Sequence, residues 1–168
     1  MAKEAKTNAI RILEKNNVDF KVNNYICAEF IDAVKIADML SQPYESSYKT
    51  LVAQGRNTRN YFVFCVPIAE ELDLKKAAMC VGEKAVALIH VKDINDVTGY
   101  IRGGCTPIGM KKRYTTVIDK SAEAFSEIII SGGRIGTQII LNPFELAKVV
   151  DGTFADIIMH ENEENNNG

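Results

Sequence analysis

The chain predicts a single mixed α/β domain, a largely antiparallel β-sheet or partial barrel with helices packed around it. Two observations carry this expectation. Short runs rich in β-branched, aromatic and other apolar residues (Tyr48–Gln54, Tyr61–Val66, Tyr114–Ile118, Glu127–Ser131, Thr137–Leu141) read as strands. Between them lie short amphipathic stretches with helix caps, in irregular order and with neither a repeat nor a long linker. A regular strand–helix alternation would predict a parallel sheet; this order does not. The 168 residues, 46% hydrophobic and 25% charged, suffice for one packed core without disulfides or metals.

Along the chain, Ala5–Asn16 places Ala9, Ile10 and Leu13 at helical spacing, and Asn16-Asn17 supplies a stop. Val18–Ile26 alternates as a strand, with Val18, Phe20 and Val22 on one face. Asp32 caps a short helix whose apolar face is Ala33, Ile36, Ala37 and Leu40, and Gln42-Pro43 ends it. Tyr48–Gln54 and Tyr61–Val66 flank a turn at Gly55–Asn60 and so form an antiparallel pair. Pro67–Val81 reads as helix in one piece or two, with Asp73 capping Leu74–Val81 and Gly82 as a stop. Ala85–Val91 is an apolar strand and Asp93–Thr98 a helical turn. Asn142-Pro143-Phe144-Glu145 opens a last helix with cap, first-turn proline and early acid in order. It stops at Gly152, before a strand at Phe154–Met159. Residues 1–160 form the one domain, and the acidic, Asn-rich 161–168 is a solvated, disordered tail.

A formal net charge of −2 argues against a protein that coats nucleic acid by charge alone. The distribution is uneven, however: from Gly99 to Lys120 five bases stand against one acid, so a local basic face remains open. Cys27, Cys65, Cys80 and Cys105 are widely spaced without a C-x-x-C pair, and only His90 and His160 could join them. Neither a metal site nor a cofactor is expected. Free thiols, no apolar leader and no spanning run predict a cytoplasmic protein with no membrane association.

The most informative stretch is Tyr100–Arg113, in which a glycine–proline loop passes directly into Lys111, Lys112 and Arg113. Glycines let backbone N–H groups approach a ligand because no Cβ stands in the way. Three consecutive cations suit a polyanion better than a neutral metabolite, although such a cluster is usually only a solvated face. The Gly132-Gly133-Arg134-Ile135-Gly136 loop lacks the Gly-Lys-Ser/Thr ending of a P-loop. It also leads into a strand rather than a helix, so it is not a dinucleotide fingerprint.

Five segments in order carry a resemblance: Tyr48-Lys49-Thr50-Leu51-Val52, Leu72–Ala77, Thr98-Gly99-Tyr100, Gly103–Gly109 and Ser131–Gly136. Together they resemble the free-standing YbaK/EbsC-type aminoacyl-tRNA deacylases, which are similar to the editing domain inserted in bacterial prolyl-tRNA synthetases. The likeness runs from about Thr7 to Ile158, and it implies a YbaK-like fold. It also implies trans-editing, the cleavage of the ester that joins a wrong amino acid to tRNA. A synthetase pocket built for proline discriminates only modestly against small amino acids, so a second site must remove the product.

By the resemblance, Lys49 holds the terminal adenosine through its phosphate or ribose, and Thr50 is a weaker candidate beside it. Gly103 and Gly104, within the Gly103–Pro107 loop, frame the ester carbonyl and offer N–H groups to the developing oxyanion. Tyr25, Phe30, Pro107, Ser131, Gly132 and Gly133 line the same pocket, and Ala28–Ala33 departs from the family's usual pattern. Lys111, Lys112, Arg113 and Arg134 are the candidate tRNA phosphate contacts. Cys105 is read as an inert thiol, since no histidine is placed to activate it. The implied partners are the acceptor end of mischarged tRNA and, as a further candidate, prolyl-tRNA synthetase. Three activities stay open: removal of cysteine from tRNA(Pro) or tRNA(Cys) assisted by the substrate's thiol, removal of alanine by water, and a silent tRNA-binding module.

Overall fold

The computed structural model describes residues 5–160, so the expected tail at 161–168 lies outside the described residues. Helix α1 (Asn8–Lys15) starts later than Ala5 because Thr7 caps it. The Thr7 hydroxyl accepts from the Ile10 N–H at 3.2 Å and donates to the Gly132 carbonyl at 2.6 Å, so one side chain starts the helix and ties it to a distant loop. Ala9, Ile10 and Leu13 are its buried face, as their spacing predicts.

Two sheets carry the domain. The first has the order β1 (Phe20–Asn24), β7 (Thr137–Leu141), β6 (Ile128–Ser131), all antiparallel. In the second, β4 (Val86–Leu88), β2 (Tyr48–Gly55) and β3 (Tyr61–Pro67) pair antiparallel. It continues with β5 (Thr115–Asp119) and β8 (Thr153–Ala155) in parallel. The expected mixed, mostly antiparallel architecture is borne out, as two linked open sheets rather than a closed barrel. The link is an isolated parallel bridge from Ser47 to Ile129, with the Ile129 N–H donating to the Ser46 carbonyl at 2.8 Å.

Helices α2 (Ala33–Met39), α3 (Leu74–Cys80), α4 (Ile94–Thr98) and α5 (Pro143–Val150) complete the fold. Asp32, Asp73 and Asn142 cap α2, α3 and α5 as expected. One buried cluster joins Leu13, Ile128, Ile139, Leu141 and Leu146 between the three-stranded sheet, α1 and α5. Another joins Phe62, Phe64, Val66, Ala77 and Ile157 between the five-stranded sheet and α3.

Several boundaries differ from expectation. Val22 was expected inward with Val18 and Phe20, yet it is 41% exposed, because β1 is the edge of a small sheet. Pro67 ends β3 instead of opening a helix, and the chain becomes helical only where Asp73 accepts the N–H groups of Lys75 and Lys76, each at 3.0 Å. The Ala85–Val91 strand shortens to β4, since a 3-10 turn begins at Val91. After Ala155 the last strand gives way to a single bridge between Ile158 and Leu72.

Two contacts set the shape around the future site. A Cβ on Gly104 would fall 2.8 Å from the Arg134 Cα and 3.0 Å from its carbonyl carbon, so the two glycine loops pack backbone against backbone. At the far end of β2, Glu83 accepts the N–H groups of Asn57 and Thr58, each at 3.2 Å, and the Thr58 hydroxyl. These bonds, that from the Thr58 hydroxyl foremost, hold the Glu83 carboxyl below its ordinary pKa.

Gly104→Ala should destabilise the fold by about 1–3 kcal/mol, since backbone cannot yield as a flexible side chain does; a wild-type chemical-denaturation midpoint would refute this packing. Glu83→Gln should lower the melting temperature at pH 7. A carboxyl depressed in the folded state stabilises above its unfolded pKa, and that stabilisation is lost as pH falls through the folded value. The gap between wild type and variant should therefore close below about pH 4; a gap independent of pH would contradict the assignment.

Candidate active site

Between the two sheets lies a cleft of about 420 Å³, within the size range of small-molecule sites. One wall is the Lys49–Val52 part of β2, the other is Ile129–Ser131 of β6 with Thr137 and Gln138 of β7. Helix α2 and the 102–105 loop close its ends. Much of the lining is apolar, with Ile31, Ile36, Leu51 and Ile89 contributing.

The fold brings together Lys49, Thr50, Gly103, Tyr25, Phe30 and Ser131 from four separated segments. Lys49 is half-buried and has no hydrogen-bond or ion-pair partner among the described residues, leaving its ammonium group available to an anionic ligand. Thr50 stands opposite Cys65 across the β2–β3 pair. Gly103 has φ +87°, and its N–H has no partner among the described residues. An L side chain there would be strained and would crowd Phe30, so glycine is required for this exposed turn. Burial raises the Tyr25 hydroxyl pKa, while the Tyr25 N–H donates to the Gly136 carbonyl at 2.8 Å.

Other expected residues lie behind the wall rather than on it. Gly104 is buried and its N–H donates to the Ile101 carbonyl at 2.9 Å, so it is not an available oxyanion donor. Pro107, Gly132 and Gly133 are outside the lining, and the Ser131 hydroxyl accepts the Gly133 N–H at 3.4 Å. Arg134 turns back into the protein: its Nε donates to the Thr137 hydroxyl at 2.9 Å and its guanidinium to the Ala5 carbonyl. Lys111, Lys112 and Arg113 are exposed and lie outside the cleft lining.

Two features of the lining were not foreseen. Arg102 sits 4.0 Å over the Phe30 ring, placing a cation and an aromatic wall together at one end. Gln42 and Gln138 exchange amide hydrogen bonds at 2.8 and 3.0 Å, with Asn23 donating to the same Gln138 oxygen at 3.0 Å. Their partners are up to 115 residues apart, a separation that leaves no local pattern to detect.

Chemically, the cleft holds cations and a free N–H but no activated nucleophile. Burial pushes the Cys105 thiol up to about 11 and the Cys65 thiol up to about 12, so neither offers thiolate at neutral pH. Among the described residues no histidine lines the cleft, and there is no cluster able to hold a metal ion. No described helix is long and apolar enough to cross a membrane.

The family model for the aminoacyl-tRNA editing domain matches residues 29–149. A protein of Enterococcus faecalis named "Putative Cys-tRNA(Pro)/Cys-tRNA(Cys) deacylase EbsC" is 40% identical over 159 residues, covering 94% of this chain and 96% of that protein. A crystal structure described as "a putative trans-editing enzyme for prolyl tRNA synthetase" shares the fold with a TM-score of 0.78 at 22% identity, covering 94% of this chain and 100% of that one. A hypothetical protein shares it with a TM-score of 0.80 at 18% identity, over 90% of this chain and 99% of the other. With the family model spanning most of the chain and a relative matching nearly end to end, the chain belongs to the aminoacyl-tRNA editing domain family.

Proposed function

We propose that this chain is a trans-editing deacylase that clears cysteine from mischarged tRNA(Pro), with the substrate's own thiol as the nucleophile. The observation that carries this reading is a cleft with a free Lys49 and a free Gly103 N–H but no competent protein nucleophile. The relative named for Cys-tRNA(Pro) and Cys-tRNA(Cys) favours cysteine over alanine. Residues 1–160 are taken as one deacylase unit acting in the cytoplasm, where tRNA is charged, with prolyl-tRNA synthetase as a candidate partner.

In this mechanism Lys49 and Arg102 hold the phosphate and ribose of the terminal adenosine by charge-assisted bonds. Tyr25, Phe30, Thr50 and Ser131 confine the aminoacyl group, while Pro107, Gly132 and Gly133 shape the loops behind it. The substrate thiol loses its proton to solvent, and its sulfur attacks the ester carbonyl carbon. A C–S bond forms, the ester C–O bond breaks, and the ribose oxygen leaves and takes a proton. The amino acid departs as a thiolactone. Gly103 N–H stabilises the oxyanion in between, a preorganised dipole in a partly desolvated site. Holding sulfur and carbonyl in a reactive geometry supplies the rest. Gly104, the other loop glycine, contributes by packing rather than by donation.

The test is amino-acid release from Cys-tRNA(Pro), with Ala-tRNA(Pro) and a seryl ester on the same tRNA alongside. Cysteine should be released far faster than serine, and Lys49→Ala should lower kcat/KM about 100-fold, or ~2.7 kcal/mol. Equal cysteine and serine rates would remove the substrate-thiol mechanism, and loss of alanine alone would replace it with water attack. The rate should rise with pH until the substrate thiol ionises, near the ordinary cysteine value of about 8.5. Cys105→Ser should keep that profile and stay within about threefold of wild type, under 1 kcal/mol; a flattened profile in this variant would restore Cys105 as the nucleophile.

A further inference from the structure

A second cavity, about 310 Å³, opens at the far end of β2. Among the described residues, Arg56, Arg59, Tyr61 and His90 line it, with Asp93 as the one carboxylate. Neither guanidinium has a hydrogen-bond or ion-pair partner among the described residues. Both arginines are exposed and line one concavity, which leaves their guanidinium groups available to an anion.

The turn that carries them is held in place by the protein itself. Glu83 accepts the Asn57 and Thr58 N–H groups, and the Gln54 side chain donates to the Arg59 carbonyl at 3.0 Å. Arg59 has φ 64°, a conformation uncommon for a residue with a side chain. Surroundings that keep such a residue in place also fix the point from which its side chain projects.

Position identifies the ligand. Leu88 and Ile89 line both cavities, so the second adjoins the candidate active site. From Lys49 to Gly55 the two sites are roughly 20 Å apart along β2, at about 3.4 Å per residue. On the other side Tyr61 meets Tyr114 edge-on, with ring centroids 5.9 Å apart. Tyr114 directly follows the exposed Lys111-Lys112-Arg113 run in the sequence. Guanidinium forks beside aromatic rings suit a phosphodiester chain with stacking bases. Free phosphate would satisfy the arginines but leaves the adjacency to the cleft without a role.

We propose that Arg56 and Arg59 hold the phosphodiester backbone of the tRNA acceptor strand a few nucleotides 5′ of the terminal adenosine, with Tyr61 as a stacking face. The inference rests on the deacylase reading for the identity of the RNA. It makes this cavity a second nucleic-acid subsite, reached by the strand whose last nucleotide occupies the cleft.

The experiment measures binding of uncharged tRNA(Pro) to wild type, Arg56→Gln/Arg59→Gln and Arg56→Lys/Arg59→Lys across a salt series. The Gln pair should bind at least tenfold more weakly, with a salt slope shallower by about 1.4 for two lost single-strand contacts. The Lys pair, which keeps the charge, should recover most of the affinity. Deacylation of Cys-tRNA(Pro) by the Gln pair should show a raised KM, whereas a cysteinyl ester of adenosine alone, lacking upstream phosphates, should be cleaved at the wild-type rate. Wild-type affinity and slope in the Gln pair would overturn the proposal. So would a wild-type protein that does not bind tRNA, or one that releases tRNA fully at low concentrations of inorganic phosphate. Arginine-dependent tRNA binding without cleavage of Cys-tRNA(Pro) by wild type would uphold the subsite and sink the deacylase reading.

Discussion

Ile129 donates its N–H to the Ser46 carbonyl at 2.8 Å, and Ser47 bridges Ile129 in parallel. This short joint is where the three-stranded and five-stranded sheets meet, and the cleft is the space left as they diverge from it. The Ile68 N–H donates to the Ser47 carbonyl at 2.9 Å, which ties the end of β3 to the same point. Beyond the cleft, the Gly104 backbone lies against that of Arg134 with no room for a Cβ. A bonded joint and a close-packed loop contact therefore hold the two walls at a set spacing. Packed backbone of this kind deforms little, which is what a site based on positioning requires.

The electrostatics follow from that geometry. Thiols near Thr50 and the 102–105 loop are held neutral by burial, while Lys49 and Arg102 reach the cleft from opposite elements. In the proposed reaction the protein thus brings cations and a backbone dipole to the site and leaves bond-making to the substrate. A reaction of this type depends on orientation and on donors already in place, neither of which needs an ionised side chain of the enzyme. The second cavity extends the same logic along β2, with arginines on a turn that Glu83 and Gln54 hold in shape.

Helix starts were legible because each depends on one side chain and the next few N–H groups: Asp32, Asp73 and Asn142 all cap where expected. Strand ends were less legible. Pro67 belongs to β3 because the strand opposite continues to Tyr48, and β4 stops at Leu88 because the chain turns at Val91. Of the candidate site, motif order pointed to Lys49, Gly103 and Ser131, and these do share a cleft. It gave no means to separate Gly103 from Gly104, although one N–H is free and the other is spent on Ile101. Nor did it show that Arg134, expected to face tRNA, bonds back to Thr137 and Ala5.

By itself, the sequence determined the fold class, the family and the segments that carry the site. Local capping and alternation act over a few residues, and short motifs in order identify a family even when each is weak. Only the tertiary structure decided which members of those segments face the cleft. It alone brought Arg102 over Phe30, paired Gln42 with Gln138, and left Arg56 and Arg59 unpaired beside Tyr61. Each of these depends on partners far apart in the chain or on which side of a packed loop an atom lies, and that is settled by close packing rather than by residue type.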